Sequence, residues 1–218
     1  MKDSILDIIK ILLNLKMNLI NLKKKNLKIK NILCVAVRLG TEVHALRNLG
    51  YNAIGIDITY PKKSKYVHYG EFENIPYADS SFDALYSNSI DHVFNLKKTI
   101  FEFDRVIKEN GYLILRLMKG YEEGYKMDQA YESFAWAKRD DLVNEIKNYI
   151  DLELIEIIKI SEIKFMYVFK KKNSWRRLMK KNTSLITGSG VLGAYLSKEL
   201  LNRNNNVIVT SRYYKKNY

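Results

Sequence analysis

Between Asn31 and Ile58 the chain reads NILCVAVRLG, TEVHALRNLG and YNAIGIDI, and this stretch constrains the fold more than any other. Ile32 to Val37 is a continuous apolar run with the length and β-branching of a strand buried on both faces. Gly40 breaks the run. Val43, Leu46 and Leu49 then recur at helical spacing up to Gly50, which suits a helix C-cap. Ala53 to Ile58 is a second apolar strand carrying one acid, Asp57, at its C-terminal end. A strand, turn, helix and strand in this order start a doubly wound α/β sheet, whose strand ends take nucleotide-like ligands.

The rest of the first 170 residues extends that pattern. Tyr66 to Tyr69 is a short strand, 73–81 is a loop around Pro76, and Phe82 to Ser87 is another strand. Ile90 and Val93 open a helix that continues through Leu96, Ile100, Phe103 and Val106 and ends near Glu109-Asn110-Gly111. Tyr112 to Leu117 is a further strand. Met118 to Ala137 has no clean period and is rich in Tyr, Glu and Lys, as expected of a loop able to cover a ligand at a strand's end. Asp140 to Ile150 is helical. Glu153 to Ile160 and Ile163 to Phe169 form two adjacent strands, expected to pair antiparallel and close one sheet edge. The predicted class is α/β: a Rossmann-like, doubly wound, mainly parallel sheet with an antiparallel C-terminal edge.

Four segments follow from composition: an N-terminal amphipathic helix and basic linker (1–30), the α/β domain (31–170), a basic linker (171–183) and a tail (184–218). Residues 4–22 are apolar on most sides with a narrow polar stripe, and Asp7, Lys10 and Lys16 spoil a membrane span. The segment reads as a helix packed on the domain or against a second copy, or as an interfacial helix on an anionic membrane. It lacks the cleavage site of a signal peptide, so a cytoplasmic location is expected. The net charge of +13 is confined to the flanks: residues 1–30 carry +6, residues 171–218 carry +10, and the middle carries −3. Flanking charge attracts polyanions without specificity, so nucleic acid is not the expected partner. Cys34 is the one cysteine and is expected to be a small core hydrophobe in a reducing interior. His44 and His68 have no metal-like spacing, and no metal site is expected.

The order of elements over 31–170 resembles the class I S-adenosylmethionine-dependent methyltransferases of the type-11 kind. ILCVAVRLG occupies the family's first motif, acid-x-Gly-x-Gly-x-Gly, of which Gly40 remains, with Cys34 at the acid and Ala36 and Arg38 at two glycines. GIDI ends the second strand, GEFENIPYADSSFDALYSNSIDHV matches the third loop and fourth strand, and VIKENGYLILRL matches the fifth. The resemblance implies that Asp57 binds the cofactor's ribose hydroxyls and that Glu71 receives the adenine amino group with Phe72 beside the ring. It also implies that Ser87 and Asn88 lie near the methionine part. Arg38 is expected to resist a positive φ and to crowd the cofactor, or to bind a carboxylate or phosphate. Glu42 is the candidate to replace the missing acid. Asp91 and His92 are the candidate catalytic bases, and Tyr121, Glu122 and Glu123 the candidate acceptor-pocket residues. The implied activity is methyl transfer to a small molecule or a sugar or glycan intermediate. The alternative is a degenerate, non-catalytic member of the same fold.

In the tail, Gly188, Gly190 and Gly193 form G-x-G-x-x-G after a short strand at Leu185-Ile186, with Val207 to Val209 as the next strand. This resembles the first β–α–β of an extended short-chain dehydrogenase/reductase such as a nucleotide-sugar epimerase or dehydratase, implying an NAD(P) loop in a truncated Rossmann unit. The tail is too short for a whole dinucleotide domain. Together with Met179-Lys-Lys, that suggests a fused remnant of a neighbouring reading frame.

Overall fold

A computed structural model describes residues 29–126, 132–172, 183–187 and 206–210, together with Leu196 and Lys198. Contacts divide the chain at Lys172 into two units. The N-terminal amphipathic segment and the glycine motif Gly188, Gly190 and Gly193 lie outside the described residues.

In the first unit the elements follow in the order β1 (Asn31–Val35), α1 (Thr41–Asn48), β2 (Asn52–Asp57), β3 (Val67–Tyr69), β4 (Phe82–Ser87), α2 (Leu96–Val106), β5 (Ile107–Met118), α3 (Arg139–Tyr149), β6 (Leu152–Lys159) and β7 (Lys164–Lys171). They build a seven-stranded sheet in the order β3-β2-β1-β4-β5-β7-β6. The first five of these strands run parallel, and β7 is antiparallel to both β5 and β6. The expected antiparallel edge is therefore present.

The continuous apolar runs are explained by burial on both faces. Along β1, Leu33 and Val35 join Ile56, Leu85, Ile100, Phe103 and Ile146 in one core cluster, which takes in α2 and α3. Ile32 and Cys34 face the other way, into a cluster with Val43 and Leu46 of α1. Gly55 permits that second packing, because a Cβ there would stand 2.6 Å from Val37 Cγ2 and 2.8 Å from Val43 Cγ2. A larger residue would push α1 off the sheet.

Two expected boundaries shift. The helix expected from Ile90 is divided: Ile90–His92 is a separate 3-10 turn, and α2 starts at Leu96 with the Asn95 side chain accepting from Lys98 N at 2.9 Å. An Asn cap stops the helix from extending backwards, although the apolar spacing continues through it. At the other end α2 stops at Val106, and 107–111 already belongs to β5 as an irregular stretch with Asn110 at φ 61°. Regular pairing with β4 resumes at Tyr112, the residue where the sequence suggested a strand.

In the second unit, β8 (Thr183–Thr187) and β9 (Asn206–Thr210) pair in parallel, Leu185 opposite Ile208.

Candidate active site

The turn after β1 does what its sequence seemed to forbid. Ala36, Arg38 and Gly40 all take left-handed backbone, with φ of 59°, 46° and 77°. The expectation that Arg38 would resist a positive φ is thus corrected. The Arg38 N–H donates to Asp57 Oδ2 at 2.7 Å, and a hydrogen bond to a carboxylate is strong enough to offset the strain of one such residue. Ala36 and Val37 both donate to the Ile56 carbonyl, at 2.9 and 3.4 Å. Gly40 is irreplaceable on a second ground, since a Cβ would lie 2.4 Å from Val67 Cγ2. The Arg38 side chain is exposed and makes no hydrogen bond or ion pair among the described residues. The backbone path of a glycine-rich loop is kept with one of its glycines.

Asp57, only 5% exposed, is the centre of this region. Besides Arg38 N–H, its Oδ1 accepts from Thr59 N and Thr59 Oγ1, both at 2.7 Å. Three of roughly four acceptor positions on the carboxylate are thereby used. Just past the end of β2, Ile58 is 65% exposed.

Glu71 is exposed and accepts the Tyr69 hydroxyl proton, and this hydrogen bond raises the Tyr69 pKa. Tyr69 also meets Tyr60 edge to face, with ring centroids 6.2 Å apart. Phe72 is half-buried and packs on Phe103, centroids 6.4 Å apart. The ring that the strand end does offer is Tyr69, which the sequence reading missed. Strand alternation points the other way, because Tyr69 shares a face with the buried Val67, and only its place at the end of β3 leaves it exposed.

Between β1 and β4 the candidates separate. Asn88 Nδ2 donates to Glu42 Oε1 at 3.2 Å, joining the first turn of α1 to the end of β4. Cys34 is wholly buried; burial pushes its thiol pKa well up, and the nearby Glu42 carboxylate pushes it further. Glu42 therefore lies close enough to act electrostatically on the residue that replaces the motif's acid. Ser87, at the end of β4, is wholly buried; its hydroxyl lies 3.5 Å from the Val35 carbonyl and receives Ser89 N–H at 3.4 Å.

Asp91 and His92 also part company. Asp91 lines a small, open cleft together with Tyr121, Tyr125, Glu132, Phe134 and Trp136, whereas His92 does not. The His92 Nε2 to Asp91 Oδ1 distance is 3.9 Å, too long for a hydrogen bond, and the imidazole is half exposed. Burial raises the Asp91 pKa, the His92 charge opposes it and Glu132 adds to it. Glu132 accepts the Tyr125 hydroxyl at 2.6 Å.

The cleft wall is stitched from three stretches. The Asp91 carbonyl accepts Ser133 N–H and Phe134 N–H at 2.8 and 2.9 Å. Trp136 Nε1 donates to the Met118 carbonyl at 3.2 Å, and Tyr121 N–H to the Trp136 carbonyl at 3.1 Å. Gly120 allows the approach, because a Cβ there would be 2.1 Å from the Ala137 carbonyl oxygen. Of the expected pocket residues only Tyr121 lines the cleft. Glu122 faces Lys138 at 3.5 Å. Glu123 accepts from Gly120 N, Arg139 N and the Arg139 guanidinium at 2.8 to 3.2 Å. Burial alone would raise Glu123, but these bonds and the Arg139 charge outweigh it and hold the carboxyl at about 2. The same guanidinium stacks 3.7 Å from the Phe165 ring centroid. Glu123 is thus a clamp that fixes the wall. No cluster of metal-binding side chains, and no helix long and apolar enough to cross a membrane, occurs among the described residues.

Comparison with known proteins agrees with this geometry. Residues 33–115 match the family described as "Methyltransferase domain", covering β1 to the middle of β5. No curated protein matches the chain. Among solved structures, the PH0226 protein from Pyrococcus horikoshii is similar with a TM-score of 0.57 at 20% identity, over 72% of this chain and 88% of that one. An S-adenosylmethionine-dependent methyltransferase from Aquifex aeolicus gives a TM-score of 0.51 at 17% identity, over 69% and 88%. The 1,6-didemethyltoxoflavin-N1-methyltransferase from Burkholderia thailandensis, with 1,6-didemethyltoxoflavin and S-adenosylhomocysteine bound, gives 0.52 at 9% identity, over 66% and 71%. The first unit has the fold of the class I S-adenosylmethionine-dependent methyltransferases.

Proposed function

We propose that the first unit is an active S-adenosylmethionine-dependent methyltransferase acting on a small molecule, with donor and acceptor meeting between Asn88 and Asp91. The observation that carries the reading is the left-handed Ala36-to-Gly40 turn tied to Asp57, a cofactor cradle preserved in shape after most of its glycines are gone. The residues present fit the cofactor. Asp57 is a carboxylate at the end of β2 with one acceptor position left for a ribose hydroxyl. Ile58 and Tyr69 supply apolar surface for an adenine face, with Glu71 beside them for its amino group. Glu42, fixed by Asn88, offers the negative charge that Cys34 cannot, and would receive the cationic amino group.

When bound, S-adenosylmethionine supplies an electrophilic methyl group on a sulfonium. The chain's own part is positioning and proton handling, and alignment contributes much of the rate of such displacements. Asp91, largely buried at the cleft and raised in pKa by that burial, is the carboxylate placed to accept an acceptor's proton. His92 is a weaker candidate because it stands outside the cleft.

Calorimetric titration of the full chain with S-adenosylhomocysteine tests this reading. Asp57→Asn should weaken binding by about tenfold or more, the loss expected when charge-assisted hydrogen bonds become neutral ones. Absence of binding at roughly millimolar ligand, about −4 kcal/mol, refutes the activity and leaves a non-catalytic member of the fold.

A further inference from the structure

We infer that Arg105 is a positioning residue for the adenine end of the cofactor: its guanidinium fastens the 70–79 loop to α2 and thereby sets where Glu71 stands. The role given to Glu71 rests on the function proposed above, whereas the anchoring of the loop stands on its own contacts.

All five N–H donors of the guanidinium are used. Nε and Nη2 grip the two Glu102 oxygens at 2.7 and 2.8 Å, one turn back on the same face of α2. The other three donors reach the loop. Nη2 donates to the Ile75 carbonyl at 2.9 Å, and Nη1 to the Tyr77 carbonyl at 2.7 Å and to Asp79 Oδ1 at 2.8 Å. Glu102 Oε2 also accepts Ile75 N–H at 2.8 Å, so the pair holds the loop through a backbone donor and two backbone acceptors. Both side chains are partly buried, where charge-assisted bonds of this planar, two-pronged kind are strong. Lysine, with three donors on a single point, cannot reproduce the fork.

The anchored stretch leads directly to Glu71. The two carbonyls held by Arg105 flank Pro76, and Pro76 closes against Gly70: a Cβ on Gly70 would lie 3.0 Å from Pro76 Cδ and 2.9 Å from Ile56 Cβ. Gly70 N–H in turn lies 3.4 Å from the Asp57 carbonyl that accepts it. The base of the loop is thus pinched between β2 and a proline fixed by Arg105, and Glu71 is the next residue. A lighter tie, Glu73 accepting Asn95 N–H at 3.0 Å, joins the loop to the start of α2. Inside the loop the Glu71 carbonyl receives Asn74 N–H at 3.4 Å, a long bond that leaves the Arg105 fork as the stronger restraint.

Hydrogen exchange on the full chain reads the anchoring. In Arg105→Lys the amides of 71–79 should exchange at least about tenfold faster than in the parent, while those of β1 and β4 keep their rates. Calorimetry reads the consequence. The parent should bind S-adenosylhomocysteine at least about tenfold more tightly than S-inosylhomocysteine, whose ring carries a carbonyl where adenine carries its amino group. In Arg105→Lys that preference should fall to about threefold or less, and adding Arg105→Lys to Glu71→Gln should lower it no further. A role in stability alone would lower the melting temperature and leave the ratio in place. An unchanged ratio therefore overturns the inference, as do unchanged exchange rates over 71–79. Asp79→Ala, at an exposed side chain, removes one of the five bonds and should move both readings the same way by about twofold, which carries the test if the lysine variant does not fold. If exchange responds while the parent binds neither nucleoside, the anchoring stands and the methyltransferase reading falls, taking the adenine role with it. If the parent shows the preference and both variants keep it, the methyltransferase reading stands and this inference falls.

Discussion

Arg38→Gly measures what the left-handed turn costs. An L-residue in this conformation is strained by about 1–2 kcal/mol. Glycine removes that strain but returns about 0.5–1 kcal/mol through its freer unfolded chain. The bond to Asp57 Oδ2 uses the backbone N–H, which glycine retains, and the Arg38 side chain is exposed with no polar partner among the described residues. The variant should therefore gain about 0.5–1 kcal/mol, or about 1–4 °C in melting temperature for a domain of this size. In urea, with a slope of about 1–3 kcal/mol/M, the midpoint should rise by a few tenths molar at unchanged slope. Arg38→Ala is the matched control: it removes the same guanidinium but keeps the strain, and should stay within about 0.5 kcal/mol of the parent. If glycine at 38 is no more stable than alanine at 38, the strain assigned to this turn does not exist.

Gly55→Ala should destabilise by about 1–3 kcal/mol in urea melts, because the new methyl meets Val37 and Val43 at overlapping distance; an unchanged midpoint would refute the tight packing of α1. Gly120→Ala should displace the backbone of Trp136 and Ala137 and open the cleft, seen as a red shift of Trp136 emission in a Trp175→Phe background, whereas an unshifted spectrum would contradict a wall built on that approach. Glu123 sits at about 2 when folded, below the roughly 4.3 of a free glutamate, so its contribution is complete above the unfolded value and fades as pH falls through the folded one. Glu123→Gln should accordingly cost about 1 kcal/mol at pH 7, and the gap to the parent should narrow as the solution is acidified. A gap that widens in acid refutes the clamp.

The sheet was legible because burial on both faces leaves few sequence patterns open. Phe82 to Ser87 emerges with its expected limits, and the predicted 153–169 hairpin closes the sheet edge as expected. Helix limits were harder wherever apolar spacing carried through a cap, as between Val93 and Leu96. The site was only half readable. Asp57 and Glu42 could be picked out because strand ends and helix starts are fixed by local pattern. Ser87 and Phe72 could not be assigned a direction, since each lies where alternation gives way to an irregular turn. The Glu123–Arg139 pair joins residues sixteen apart through an aperiodic stretch, and nothing local distinguishes those charges from solvated ones. Arg38 misled for a different reason. Its preference argued against the turn, and the partner that overrides the preference is nineteen residues away.

The division of labour at Asn88 has a consequence for how this protein is made and how it can change. Every group proposed for the cofactor lies between Ala36 and Asn88, on a part of the chain that leaves the ribosome first, whereas the Asp91 carbonyl must wait for Ser133 and Phe134. During synthesis the donor half can assemble while the acceptor half is still missing its wall. Over longer times the same separation lets residues 119–138 be exchanged as a block, trading one ligand for another, without moving a single rung of the ladder that joins β1, β2 and β4.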